Sequence, residues 1–253
     1  MHLEEFAHGS SWLHRLDPRI KIAAAVVFSA IAAVADYFPV LTAALAAGIF
    51  LVLLAGLDLG RVMARLAVVN LFVLFLWLFL PFSFPGRVVF QLGPLTASYE
   101  GLIAALTITL KSNAIMLAGL ALLSTSPVFA LVHALRHLGV PDKLVNLFFF
   151  TYRYFQVVHQ EYLRLRAAMK VRGFRPRTNR HTYRSLAYLV GMLLVRSFDR
   201  SERVYQAMLC RGYQGRFWLL SHFHLHARDL FFLGAFMLFN LGLAVLQWSN
   251  LVR

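Results

Sequence analysis

The sequence predicts an all-α membrane protein with about five transmembrane helices and, between the fourth and fifth, a platform of long amphipathic helices. Three observations predict it. The 253 residues are 60% hydrophobic and only 14% charged, where a soluble domain carries about a quarter charged residues. Five segments approach the roughly 20 apolar residues needed to cross a hydrocarbon core of about 30 Å. Finally, 17 of the 25 Lys and Arg residues fall between Ser124 and Arg228.

The first nineteen residues contain Glu4, Glu5, Asp17 and the histidines His2, His8 and His14, and have no apolar run. They read as an arm before the first span and not as a cleavable signal. Asp17 is placed to cap the first helix, with Pro18 at its first position. Spans are expected near 20–36, 38–57, 66–84, 102–123 and 229–248. Asp36-Tyr37 is so short a connection that the first two must form a tight hairpin. The next connection carries Arg61 and Arg65, and the one over 85–101 has turn signals at Pro85-Gly86 and Gly93-Pro94. The chain thus divides into an arm with four spans (1–123), a central block (124–228) and a last span (229–253).

The central block has 17 basic residues against Asp142, Glu161, Asp199 and Glu202, a local net charge of +13. The whole chain carries +14, which on a soluble protein would suggest a nucleic-acid partner. On a membrane protein the first cause is topology, since cytoplasmic loops collect Lys and Arg. With Arg15, Arg19 and Lys21 ahead of the first span, this rule places the N-terminus, the second loop and the block in the cytoplasm. Five crossings would then leave Arg253 outside.

Within the block, Ser126-Pro127 opens one helix that Gly139 ends, and Pro141-Asp142 opens a second that runs to Gly173. A third begins between Asn179 and Tyr183 and runs to Gly212. On it Leu186, Leu189, Val190, Leu193, Leu194 and Ser197 recur at three- and four-residue steps as one apolar face. The apolar runs Leu186–Val195 and Leu144–Val158 are too short or too interrupted by arginine to span, the alternative being a hidden sixth crossing. Cys210, the single cysteine, excludes an internal disulfide.

The most informative feature is a repeat. Ala168-Met169-Lys170-Val171-Arg172-Gly173-Phe174 returns as Ala207-Met208-Leu209-Cys210-Arg211-Gly212-Tyr213, 39 residues later. Each copy sits where a long helix stops, glycine being preferred just past a helix end. A single copy would be explained by arginine complementing the helix dipole. Two copies suggest two equivalent docking tips meeting two copies of one partner, with a planar guanidinium suited to bidentate contact.

These paired tips, together with Leu13-His14-Arg15-Leu16-Asp17-Pro18-Arg19-Ile20-Lys21, resemble the transmembrane T component of energy-coupling-factor transporters (the EcfT family), and most of all its cobalt type, CbiQ. That family's tip motif is Ala-Arg-Gly. Here Val171 and Cys210 stand in place of the alanine, while Arg172-Gly173 and Arg211-Gly212 are kept. Leu138-Gly139-Val140-Pro141 and the run from Tyr152-Arg153-Tyr154 to Glu161 resemble the family's coupling helices.

The resemblance implies a non-catalytic scaffold whose Arg172 and Arg211 each enter a groove of one of two cytoplasmic ABC-type ATPase subunits. Phe174 and Tyr213 would support the tips, and Asp17-Pro18-Arg19 would be structural. The platform would pass nucleotide-driven closure to a separate substrate-binding membrane subunit in the bacterial inner membrane. Cobalt is the first expectation for the substrate, with nickel or a vitamin next. No Gly-x-x-x-x-Gly-Lys-[Ser/Thr] occurs, so ATP and magnesium belong to the partners and no cofactor is expected on this chain.

His133 and His137 have a spacing open to metal ligation, but no Glu follows His133, and no metal site is expected there. His222, His224 and His226 read as a solvated or headgroup-level loop. Lys111, in the middle of the fourth span, should face protein or a water-filled cavity, with Asn113 or Asn70 as expected neighbours. A self-sufficient carrier or membrane-embedded enzyme, the alternative function, needs ionisable groups clustered at mid-membrane. Lys111 with a few Asn, Ser and Thr residues offers little of that.

Overall fold

The computed structural model describes residue 9 and residues 11–92, 95–215 and 226–251. His2, His8, His222, His224, the Gly93-Pro94 turn and Arg253 lie outside the described residues. The elements in order are α1 (Pro18–Val34), α2 (Phe38–Ala55), α3 (Leu59–Ser83), β1 (Val88–Leu92), β2 (Leu95–Ser98), α4 (Tyr99–Leu123), α5 (Val128–His137), α6 (Asp142–Val171), α7 (Arg180–Cys210) and α8 (Ala227–Leu251). The all-α class holds. Its one departure among the described residues is the antiparallel β1–β2 hairpin, where the sequence suggests only a turn-rich connection.

Among the described residues, four helices of 18 or more residues are apolar enough to cross a membrane: α2, α3, α4 and Ala227–Ser249 of α8. The expectation of about five counts α1 as well, whose 17 residues fall at the lower end of spanning lengths. Asp17 Oδ1 accepts the Arg19 backbone N–H at 2.8 Å and starts the helix at Pro18. The chain turns again at Ala35, leaving 17 residues, about 25 Å of helix against a core of about 30 Å. Two other boundaries move for the same kind of reason. Asp58 caps α3 through the Gly60 N–H, so that helix absorbs the Arg61 loop; Ser98 caps α4 through the Gly101 N–H.

The chain divides into two compact units, Met1–Ala134 with Phe223–Arg253, and Leu135–His222. In the first, α1 and α2 both pack on α4. Buried alanines line these helices: Ala24, Ala25, Ala32 and Ala44 on one side, Ala114, Ala118 and Ala121 on the other. Small residues let spanning helices approach closely. The limit is reached at Gly48, where a Cβ would lie 3.1 Å from Leu117 Cβ and 3.2 Å from the Ala114 carbonyl.

A polar cluster ties three helix ends of this unit together. Lys21 is fully buried and its ammonium donates to the Thr125 carbonyl (3.3 Å), Thr125 Oγ1 (3.2 Å) and Ser126 Oγ (2.7 Å), just after α4. The Asp17 backbone N–H donates to Asp229 Oδ1 at 3.2 Å, and Asp229 Oδ2 accepts the His226 N–H at 3.0 Å at the start of α8.

Candidate functional site

In the second unit α6 and α7 are the long helices, 30 and 31 residues. Asn179 starts α7 by accepting the Thr182 N–H at 2.9 Å. The two helices run antiparallel. Asn146, near the start of α6, donates to Tyr213 Oη and to the Gly215 carbonyl beyond the end of α7. Midway, Glu161 bridges to Arg196 of α7 and to Arg164. At the far end the Phe174 ring lies 6.5 Å from that of His181. Between these ties the helices leave a cavity of about 600 Å³ bordered by Leu165, Met169, Arg172, Phe174, Tyr188 and Met192. The apolar face expected on α7 is divided: Leu189 is buried, whereas Val190 and Leu194 stay 55% and 67% exposed.

The sequence repeat folds twice into the same cap. After α6 the Phe174 N–H donates to the Met169 carbonyl at 3.1 Å and the Gly173 N–H to the Lys170 carbonyl at 3.0 Å. After α7 the Tyr213 N–H donates to the Met208 carbonyl and the Gly212 N–H to the Leu209 carbonyl, both at 3.0 Å. This is the Schellman arrangement, which closes a helix through one left-handed residue. Gly173 and Gly212 both have φ of +79°, where a side chain would clash with the following carbonyl.

Arg172 and Arg211 therefore hold equivalent capping positions, with φ, ψ of −76°, 10° and −92°, 11°. Both are exposed, as are Gly173, Cys210 and Gly212; Val171 is 89% exposed. Phe174 and Tyr213 are half-buried against their own unit, so in each tip the aromatic turns inward and leaves the guanidinium outward. Cap geometry alone is not what sets them apart. The turn after α5 closes in the same way, from Val140 to Leu135 and from Gly139 to Arg136, but carries Leu138 at the capping position. Antiparallel packing puts the two arginines at opposite ends, about 40 Å apart along the 26 residues from Asn146 to Arg172.

Glu161 is the carboxylate that joins the two long helices. The hydrogen bond from Arg196 lowers its pKa below the usual glutamate range, and Arg164 acts in the same direction.

Lys111 faces protein, as expected, but with other neighbours. Its ammonium meets Asp36 Oδ1 at 2.8 Å and the Ala33 carbonyl at 3.0 Å, at the α1–α2 connection. Asn70 and Asn113 instead pair with each other through reciprocal amide bonds of 3.1 and 2.9 Å. His133 is buried while His137 is exposed, and among the described residues no group of three or more His, Cys, Asp or Glu side chains could hold a metal. What sequence reasoning passed over is the Lys21–Asp229 cluster. Lys21 entered there as a topological charge and as the end of the N-terminal motif, although a cation one turn inside an apolar helix is a signal in itself.

Comparison with known proteins agrees with the architecture. The family model described as cobalt transport protein, CbiQ, matches residues 9–220. The energy-coupling factor transporter transmembrane protein EcfT of Thermosediminibacter oceani is 28% identical over 224 residues, 83% of each chain. The protein of the same name from Bacillus subtilis is 28% identical over 85% of each. The cobalt transport protein CbiQ of Rhodobacter capsulatus is 28% identical over 52% of this chain and 54% of its own. With its multi-pass helices and a family match over most of its length, this chain belongs to the CbiQ/EcfT family of transmembrane components of energy-coupling-factor transporters.

Proposed function

We propose that the chain is the coupling subunit of such a transporter, passing ATP-driven motion from two cytoplasmic ATPase subunits to a substrate-binding membrane subunit. The observation that carries this reading is the duplicated tip: one exposed arginine, in one backbone conformation, at each end of an antiparallel helix pair. Two equal contacts suit two copies of one ATPase, and bidentate guanidinium contacts suit a groove lined with carboxylates or carbonyls. Val171-Arg172-Gly173 and Cys210-Arg211-Gly212 make those contacts, with Phe174 and Tyr213 holding the tips in place. ATP and magnesium are bound by the partners, since the chain has no phosphate-cradling loop of that type.

The charge distribution supports a cytoplasmic position for the N-terminus and residues 124–228 in a bacterial inner membrane. Cobalt ion is the proposed substrate, a reading supported by the family's description. A self-sufficient carrier finds less support, because the polar side chains of α3 and α4 described above satisfy one another instead of lining a path.

The test is Arg172→Ala combined with Arg211→Ala, assayed for membrane insertion, ATPase co-purification and cobalt uptake. Insertion should be normal while co-purification and uptake are lost. Retained uptake would refute the coupling role.

A further inference from the structure

The chain leaves the first unit once and returns to it once. It departs through the residues after α4, reaching the second unit at Leu135, and comes back ahead of α8. Both roots are held by the same place on α1. Lys21 grips the outgoing root at Thr125 and Ser126, and the Asp17 backbone N–H grips the returning root at Asp229. Asp229 in turn fastens His226, the residue just before α8. Asp17, Lys21, Thr125, Ser126 and Asp229 are all at most 6% exposed.

This cluster is more than is needed to start a helix. Asp17 Oδ1 and Pro18 alone complete the cap of α1. An ammonium has three donors, and those of Lys21 find three acceptors within the two residues Thr125 and Ser126. Burying a cation is unfavourable, and an apolar side chain in its place would hold helices together as well or better. What an ion–dipole cluster adds is a single allowed geometry, since each member has a fixed partner and the low dielectric makes a broken bond expensive. Here that geometry fixes α1 to both roots at once. Residues 135–222 are joined to the first unit by the chain at those two roots.

We propose that Asp17, Lys21 and Asp229 form the joint through which displacement of the α6–α7 unit is passed to α1 and thence to the α2–α4 bundle. Lys21 and Asp229 are positioning residues: they touch neither nucleotide nor substrate, and they set how much of the motion arrives. This rests on the coupling role proposed above. Loosening the joint should let the platform move without carrying α1, so that hydrolysis continues while transport fails.

The experiment uses Lys21→Met in the complete reconstituted transporter, with ATPase association, ATP hydrolysis and cobalt uptake measured on the same preparation. Association and hydrolysis should stay close to the unaltered complex. Uptake per ATP hydrolysed should fall about tenfold or more, since losing even one of the three hydrogen bonds to the ammonium corresponds to about that factor. Amide exchange in residues 124–130 and 226–230 of the isolated chain should rise in the same variant.

If Lys21→Met fails to accumulate, Lys21→Met with Asp229→Asn removes the cation together with a neighbouring carboxylate and carries the same test. An unchanged uptake-to-hydrolysis ratio overturns the proposal, as does unchanged exchange at the two roots. Failure of both variants to accumulate makes the cluster a folding element and overturns it too. Failure of the coupling role itself appears elsewhere, as ATPase association or uptake that survives Arg172→Ala with Arg211→Ala.

Discussion

Replacing Gly173 or Gly212 by alanine isolates the cap from everything else in the tip. A Cβ at either position would meet nothing within 4 Å, so the substitution adds no clash with neighbouring parts of the fold. What remains is the local conflict at φ of +79°, about 1–2 kcal/mol for a non-glycine residue in the left-handed region. That corresponds to a shift of about 5–30-fold in the open-to-closed ratio of the cap. The reporters are the amides that close each cap, Phe174 and Tyr213.

Hydrogen exchange should accelerate by that factor at Phe174 in Gly173→Ala and at Tyr213 in Gly212→Ala, each variant leaving the other tip unchanged. ATPase affinity should weaken by a comparable factor for either tip, because the two caps have the same geometry. Gly191→Ala is the control. It lies inside α7 with open space around a Cβ, and alanine there should stabilise the helix by up to about 1 kcal/mol. The reasoning fails if the two tip variants behave like Gly191→Ala, or if one tip responds and the other does not.

Asn70→Leu should destabilise the membrane unit by about 1 kcal/mol by leaving the Asn113 amide without its partner, and Asn70→Leu with Asn113→Leu should recover most of it; thermal unfolding in detergent measures both. Lys111→Met should destabilise the membrane unit, because it leaves the Asp36 carboxylate and the Ala33 carbonyl without the ammonium they share; unchanged thermal unfolding in detergent would contradict the placement of that pair. Maleimide labelling of exposed Cys210 should slow sharply when the ATPase pair is added, and unprotected labelling in an assembled complex would argue against docking at the second tip. The lowered Glu161 pKa means that its bridge to Arg196 contributes above the unfolded pKa and is lost as pH falls through the folded one. α6–α7 contacts, followed by cross-linking, should therefore be constant from about pH 5 to 8 and loosen only below the ordinary glutamate value near 4.3.

The platform helices were legible in the sequence because each end carries a local signal. Ser126-Pro127, Pro141-Asp142 and Asn179 start helices, and Gly139, Gly173 and Gly212 stop them, all within a residue or two of the observed boundaries. Such signals act over one turn and need no knowledge of the rest of the fold. The membrane part was less legible where the outcome depends on distant residues. Nothing near Lys111 in the chain announces Asp36, 75 positions away, and the amides of Asn70 and Asn113 were free to choose each other. At α1 the bounds moved by two residues, from 20–36 to Pro18–Val34, because the Asp17 cap starts the helix ahead of the apolar run. For the tips, the repeat gave the residues but not their disposition, which only the antiparallel packing of α6 on α7 supplies.

That packing has a mechanical consequence. Forces applied at Arg172 and Arg211 act on the two extremities of one beam. Equal pushes directed along a stiff beam cancel and leave it in place. Opposed components across it form a couple and turn it, whereas components in one direction carry it sideways. A grip on both extremities can thus turn the beam without displacing it, which a grip on one extremity alone cannot do.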